Sequence, residues 1–133
     1  PVFCDPGSLL IKYCRETSIE VTTLPGASSL MALLSLSSQK LDKFYFYGFL
    51  PREKEERMRE IQRISKMKES IIVMDTPYRF TATIEHLATI MPGRKALIAA
   101  DVTLPTEMIL EGNLKFLASQ TKDQKKEFLV LIY

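Results

Sequence analysis

Hydrophobic positions in the first third of the chain follow two different periods. After Asp5-Pro-Gly-Ser8, a turn and helix-start signal, apolar residues recur at helical spacing and predict a helix from about Ser8 to Thr17. Residues 19–24 alternate and are rich in β-branched side chains, which predicts a strand ended by Pro25-Gly26. Ser28 or Ser29 can cap a next helix. Apolar residues, Leu30 to Leu34, cover nearly every side of this helix, so it is expected to be buried.

A polar break over residues 37–43 separates this first part from a regular alternation of strands and helices. The predicted strands are Phe44–Gly48, Ser70–Asp75, Lys95–Asp101, Thr106–Glu111 and Glu127–Tyr133, and the predicted helices are Arg52–Lys68, Arg79–Met91 and Asn113–Ser119. The alternation favours an α/β fold. The strand after Asp101 follows too soon to pair in parallel with its neighbour, so the sheet is expected to be mixed.

Composition supports one folded unit of ordinary character. The chain has 133 residues, of which 46% are hydrophobic and 26% charged, and its net charge is +2. The charge is too balanced to predict nucleic-acid binding by a long-range field, so any RNA contact has to be local. The longest apolar runs are far shorter than the roughly 20 residues that span a bilayer, so no membrane association is expected.

The residues that most often carry chemistry are sparse. Cys4 and Cys14, with the distant His86 as the single histidine, do not make a zinc site, and we interpret both cysteines as reduced thiols of a cytoplasmic protein. His86 lies in the middle of a predicted helix, without the context of a catalytic triad. The loop Pro25-Gly-Ala-Ser-Ser29 lacks the lysine and the spacing of a P-loop, which argues against nucleotide hydrolysis.

The helix that begins near Arg52 is densely charged. Its spacing predicts the pairs Glu53–Arg57 and Glu55–Arg59 on a solvated face. The functional alternative is that basic side chains near this helix start contact substrate phosphates; the candidates are Arg52, Lys54 and Arg79.

Several motifs occur in one order along the chain. They are Asp5-Pro-Gly7, Leu24-Pro-Gly-Ala-Ser28, Gly48-Phe-Leu-Pro-Arg52, Thr76-Pro-Tyr-Arg79, Thr103 to Glu107 and Glu111-Gly112. This series resembles the tetrapyrrole methylase superfamily of S-adenosylmethionine-dependent methyltransferases, and within it the branch of 16S ribosomal RNA 2′-O-ribose methyltransferases. Gly48-Phe-Leu-Pro-Arg52 is the most specific of these motifs.

The resemblance implies a two-domain α/β fold with the methyl donor in the cleft between the domains. Residues 1–40 would be the C-terminal part of the first, donor-binding domain, whose beginning is missing, and residues 41–133 the second domain with its mixed sheet. It also implies S-adenosylmethionine as cofactor, ribosomal RNA as a partner, a homodimer and a cytoplasmic location.

Site residues carried over by the resemblance come from four segments. The residues implied to bind the donor are Asp5, Pro6, Gly7, Pro25, Gly26, Ala27, Ser28, Leu50, Pro51, Ala99, Ala100 and Thr103. Many of these contacts would be made by backbone atoms, which explains why few ionisable residues stand out.

Two segments differ from the ribosomal RNA branch. Asp75-Thr-Pro-Tyr-Arg79 stands where that branch tends to have Glu-Ser-Pro-His-Arg, and Ala100-Asp-Val-Thr-Leu104 where it has Arg-Glu-Leu-Thr-Lys. A ribose hydroxyl would need a general base, for which Asp75, Asp101 and Tyr78 are candidates. Two other functions stay open at this point: a non-catalytic dimerisation or RNA-binding module, and a corrin or porphyrin methyltransferase.

Overall fold

The computed structural model describes residues 5–133; Cys4 and the other residues before Asp5 lie outside the described part. The helices are α1 (Ser8–Glu16), α2 (Ser29–Ser35), α3 (Lys54–Ile64), α4 (Phe80–Ile90) and α5 (Leu114–Gln120). The strands are β1 (Phe44–Phe49), β2 (Ser70–Asp75), β3 (Lys95–Ala100), β4 (Met108–Asn113) and β5 (Phe128–Ile132). A 3₁₀ turn, Pro77–Arg79, leads into α4.

The five strands form one mixed sheet, as the sequence predicts, and their order in the sheet is β1-β2-β5-β3-β4. β1 and β2 are parallel, while β5 is antiparallel to both β2 and β3, and β4 is antiparallel to β3. Therefore β1, β2 and β3 all end at the same edge of the sheet, where β4 and β5 begin. We call this the loop edge, because it carries the loops after Phe49, Asp75 and Ala100.

Alternation along the strands divides the core between the two faces of the sheet. Helices α3, α4 and α5 cover one face, which includes Ile71, Val73, Ile98 and Val130. The opposite face includes Ile72, Leu97, Leu129 and Leu131, and α2 packs on it through the fully buried Leu33. The part of the chain from α2 onward is thus held to the sheet by apolar burial on both faces.

Two expectations for the first part of the chain are wrong. Residues 19–24 form no strand, because no other strand of residues 5–133 pairs with them, and Ile19 and Leu24 are exposed by 52% and 89%. α2 is buried on one side only: Met31 is 61% exposed, since the helix lies on the sheet surface rather than inside a core. α1 forms where predicted, with Leu9, Leu10 and Tyr13 all exposed.

The pairs predicted on α3 are also wrong. Arg57 is 94% buried and does not pair with Glu53, because its guanidinium turns beneath the loop that precedes the helix. The ion pair observed on α3 joins Arg63 to Glu60, with Nε and Oε2 2.9 Å apart. The helix is shorter than the predicted Arg52–Lys68 at both ends.

Candidate functional site at the loop edge

A cleft opens at the loop edge on the face that carries α2. It consists of three adjoining cavities of about 260, 280 and 370 Å³, each lined by Ser29, and we call it the Ser29 cleft. Its remaining walls come from the loop before α2, the last residues of β2 and β3, and the start of β5. The lining residues used below are Ala27, Ser28, Met74, Ala99, Asp101, Val102, Thr103 and Leu129.

The lining of the Ser29 cleft is small and mostly apolar. Ala27, Ser29 and Ala99 leave open volume because their side chains are short, while Met74 and Leu129 supply apolar walls. Ser28 is the N-cap of α2, where its Oγ accepts a hydrogen bond from the backbone N–H of Met31 at 3.4 Å. Such a lining suits an apolar or planar group that is recognised by shape and by backbone polar groups.

Four of the residues that the resemblance implies for the donor meet in this cleft: Ala27, Ser28, Ala99 and Thr103. Pro25 and Gly26 precede them on the exposed loop, and Asp5, Pro6 and Gly7 lie at the start of α1 without lining the cleft. The side chains of Leu50 and Ala100 are buried on the opposite face of the sheet. Those two residues can offer only backbone atoms toward a ligand on the α2 face.

The loop after β1, residues 50–52, is held from below by two arginines, and we call it the 50–52 loop. Arg57 Nη1 donates to the carbonyl oxygens of Pro51 at 2.9 Å and Arg52 at 2.7 Å. Arg79 Nη1 donates to the same Pro51 oxygen at 2.9 Å, and its Nη2 lies 3.5 Å from the Leu50 oxygen. Two guanidinium groups therefore satisfy the backbone of a loop that makes no sheet or helix hydrogen bonds of its own.

Asp75 anchors this arrangement. Its side chain is fully buried, and its Oδ1 forms an ion pair with Arg79 and accepts the backbone N–H of Thr76 at 2.7 Å. Its Oδ2 accepts the hydroxyl of Thr83 at 2.9 Å. Because both oxygens are occupied and shielded from solvent, the geometry argues against Asp75 as the general base. It fits a residue that holds Arg79 in place.

Arg57 also contacts the single histidine. Its Nε donates to His86 Nδ1 at 3.1 Å, so the ring accepts at that nitrogen and is neutral in this arrangement. Burial, followed by the positive charges of Arg57 and Lys54, lowers the pKa of His86 from its ordinary value. Sequence reasoning missed this role of Arg57, because helical spacing alone paired it with Glu53.

The three predicted phosphate-contacting residues divide into two kinds. Arg52, in the 50–52 loop, and Lys54, at the start of α3, are both exposed. The side chain of Arg79 is 80% buried, and its guanidinium is paired with Asp75 and hydrogen-bonded to the loop carbonyls. The structure thus leaves the first two accessible and ties the third into the loop.

The loop after β3, residues 101–107, closes the other end of the Ser29 cleft, and we call it the 101–107 loop. Asp101 and Thr103 adopt positive φ angles of 48° and 73°, which is uncommon for a non-glycine residue and unfavourable for a β-branched one. The Thr103 N–H donates to Glu107 Oε2 at 2.6 Å, and Asp101 Oδ2 accepts from Lys126 Nζ and Thr106 Oγ1, both at 2.9 Å.

These contacts determine the charge state of Asp101. The hydrogen bond from Lys126 is the largest reason that the pKa of Asp101 lies below its ordinary value. The carboxylate lines the cleft as a stable anion, which makes it a weak general base at neutral pH.

Within residues 5–133 no group of three or more His, Cys, Asp or Glu side chains is placed to hold a metal ion. None of the helices described is long and apolar enough to cross a membrane. Cys14 is a free, half-buried thiol.

Solved structures with a similar fold include methyltransferases. Uroporphyrin-III C-methyltransferase from Thermus thermophilus superposes with a TM-score of 0.65 at 15% identity, covering 99% of this chain and 59% of that one. A second structure of that enzyme, complexed with S-adenosyl homocysteine, gives 0.63 at 14% identity, covering 99% of this chain and 61% of that one. At these identities the likeness shows the fold alone.

Sequence relatives are more specific. Ribosomal RNA small subunit methyltransferase I of Neisseria meningitidis is 30% identical over the whole chain and 47% of its own length. The proteins of the same name from Xylella fastidiosa and Synechocystis are 32% and 34% identical, over 99% and 86% of this chain and 50% and 42% of their own lengths. The chain therefore spans about half the length of these curated relatives.

A family profile, tetrapyrrole (corrin/porphyrin) methylases, matches residues 1–118. The match includes β1 to β4, the loops of the loop edge and most of the lining of the Ser29 cleft. The chain belongs to the tetrapyrrole methylase family.

Proposed function

We propose that the protein of which this sequence is part transfers a methyl group from S-adenosylmethionine to ribosomal RNA, and that the Ser29 cleft holds part of the donor. The observation that carries the proposal is the convergence of Ala27, Ser28, Ala99 and Thr103 on one small-residue cleft at the loop edge. Ligands of open α/β sheets gather at this kind of edge.

The lining fits the donor without any ionisable side chain at its centre. Alanine and serine walls leave room for the adenosyl group, and backbone groups of the 101–107 loop, fixed at positive φ, can supply hydrogen bonds. The donor contributes an electrophilic methyl carbon on a sulfonium. The protein's task is then to align an acceptor with that carbon and keep water out. Asp5, Pro6, Gly7, Pro25, Gly26, Leu50, Pro51 and Ala100 remain proposed donor neighbours through backbone contacts.

Arg52 and Lys54 are proposed to contact RNA phosphates, because they are exposed in and just after a loop whose backbone is held by two arginines. For Arg79 we propose an indirect role: it positions the 50–52 loop that carries Arg52. The homodimer, the cytoplasmic location and the division into residues 1–40 and 41–133 are further parts of the proposal.

Two alternatives are less well supported. A corrin or porphyrin methyltransferase would share the fold, but relatives 30–34% identical are named for ribosomal RNA, whereas the uroporphyrin enzymes are 14–15% identical. A non-catalytic RNA-binding or dimerisation module would not need an open small-residue cleft at the loop edge.

The test is donor binding by the full-length protein, measured by calorimetry with S-adenosylmethionine. Ser29 lines all three cavities, so the larger side chain of Ser29→Phe would fill the cleft and is expected to abolish binding. Ser35→Phe, at the exposed other end of α2, is expected to leave binding unchanged. Absence of donor binding by the unaltered protein would overturn the proposal. Methyl transfer to a porphyrin but not to ribosomal RNA would show that the proposed acceptor is wrong.

A further inference from the structure

Tyr78 is an exposed aromatic residue on a rigid support at the loop edge. It is the middle residue of the 3₁₀ turn Pro77–Arg79, and its side chain is 81% exposed. Pro77 restricts the backbone on one side of it, and on the other side Arg79 is fixed to Asp75 and to the Pro51 oxygen. An exposed phenol ring is thus presented at a defined position next to the 50–52 loop.

A lysine accompanies the ring. Lys125 Nζ lies 5.3 Å from the centre of the Tyr78 ring, within the range of a cation–π contact. An ammonium group covers little of a ring, so a face of Tyr78 stays open to solvent, as its exposure shows. The neighbouring Lys126 is used internally, on Asp101 and the Thr106 oxygen, so Lys125 is the outward-facing charge of the two.

The segment that carries Lys125 is bound to the helix that follows Tyr78. Thr81 Oγ1 donates to the Thr121 oxygen at 2.8 Å and lies 3.2 Å from both the oxygen and the N–H of Gln124. One threonine, three residues after Tyr78, therefore fixes the chain just before Lys125. The aromatic ring and the cation are held together by the fold, and their proximity does not depend on two flexible surface side chains alone.

We propose that Tyr78 and Lys125 form a stacking site for an unpaired nucleobase of the RNA, with the ring stacking on the base and the lysine contacting the adjoining phosphate. The inference rests on the proposed RNA substrate. Its chemistry is general: unpaired bases stack on exposed aromatic rings, while lysines contact the backbone. The site lies near Arg52, since Arg79, the residue after Tyr78, donates to the oxygen of Pro51, the residue before Arg52.

The test measures RNA binding by fluorescence anisotropy, using the full-length protein and two single strands of equal length, an oligoadenylate and an abasic strand with the same phosphates. The unaltered protein is expected to prefer the oligoadenylate. Tyr78→Ala is expected to weaken oligoadenylate binding by roughly 5- to 150-fold with the abasic affinity unchanged, and Tyr78→Phe to retain the preference.

Lys125→Ala is expected to weaken the binding of both strands alike. It is also expected to reduce the salt dependence of the affinity by the amount of about one phosphate contact. Two controls match these variants: Tyr13→Ala, an exposed tyrosine of α1, and Lys122→Ala, an exposed lysine of the same segment. Both are expected to bind like the unaltered protein.

Three results would overturn the stacking site. If Tyr78→Ala binds oligoadenylate normally, or binds both strands equally more weakly, the ring does not stack on a base. The proposed function is not affected by either result. If the unaltered protein binds neither strand, the RNA substrate falls together with the stacking site.

Discussion

Two loops that follow strands of the same sheet edge are held in different ways. The 50–52 loop rests on buried groups from other elements: Asp75 at the end of β2, Arg79 before α4 and Arg57 in α3. The 101–107 loop is held mostly by its own residues and by Lys126, and the side chain of its Asp101 is 14% exposed, whereas that of Asp75 is fully buried.

The difference shows how each loop depends on the rest of the protein. The contacts of the 50–52 loop come from Arg57 of α3 and from Arg79, which is paired with the fully buried Asp75, so removing one partner leaves a buried charge without compensation. The 101–107 loop is restrained by two residues at positive φ and by partly exposed side-chain contacts. Water can partly replace those contacts when a side chain is removed. We therefore expect substitutions beneath the first loop to cost more stability.

The largest expected effect comes from Asp75→Ala. It leaves Arg79 and the Thr83 hydroxyl without their buried acceptor, and we expect a loss of about 3–5 kcal/mol in the free energy of unfolding. Urea denaturation followed by circular dichroism measures it. Asp101→Ala, the matched change in the other loop, is expected to cost less.

A double substitution separates the charge from the packing. Asp75→Ala combined with Arg79→Met removes both buried charges and is expected to recover much of the loss. Equal losses for Asp75→Ala and Asp101→Ala would contradict the difference between the two loops.

Arg57→Ala is the next largest. It removes the Nη1 donor to the Pro51 and Arg52 oxygens, of which only Pro51 keeps a second donor in Arg79, and it removes the contact to His86, so we expect a loss of about 2–3 kcal/mol. The control is Arg59→Ala, an exposed arginine of the same helix, for which a change within about 0.5 kcal/mol is expected. Similar melting curves for the two variants would mean that the 50–52 loop does not need Arg57.

The strands were easier to predict from the sequence than the roles of Arg57 and Arg79. The bounds of β2 and the mixed sheet were predicted, because a short apolar run between polar residues and a brief connection after Asp101 carry that information locally. The roles of Arg57 and Arg79 were not, because spacing along a helix does not reveal a loop that lies above it in space.

The strand predicted over residues 19–24 failed for a similar reason. Alternation indicates that a segment is able to pair, but pairing needs a neighbour, and no strand of residues 5–133 lies beside it. The motif resemblance predicts Ala27, Ser28, Ala99 and Thr103 as donor neighbours, and all four line the Ser29 cleft. It gave no distinction between Ala99 and Ala100, whose side chains point to opposite faces of the sheet.

Gly48→Ala tests the entry to the 50–52 loop. Gly48 is buried at a positive φ of 84°, next to a β-bulge in the pairing of β1 with β2, and an added Cβ would lie 3.3 Å from Phe46 Cε1. We expect a loss of about 1–2 kcal/mol, measured by thermal unfolding. Gly93→Ala, where an added Cβ meets nothing within 4 Å, is expected to be neutral or slightly stabilising. If the two changes cost the same, backbone conformation at Gly48 is not what shapes the loop.

The smallest effect is a difference in pH dependence between the two loops. Burial lowers the pKa of His86, so below its ordinary value of 6.5 the unfolded chain binds more protons than the folded one and stability falls as the pH is lowered. The pKa of Asp101 is also lowered, but it is an acid whose ordinary value is 3.8, so its contribution is complete above that pH and is lost only in stronger acid.

We therefore expect acidification from about pH 7 to pH 5 to lower the free energy of unfolding on the His86 side, by a small amount because the ring is half-exposed and solvent screens it. His86→Gln keeps an acceptor for Arg57 Nε without a titrating group, and it should flatten urea midpoints over this range. Asp101→Asn should leave that slope unchanged and reduce only the loss in stronger acid. If His86→Gln retains the full slope, another group governs stability near neutral pH, and the contact between Arg57 and His86 does not link the 50–52 loop to protonation.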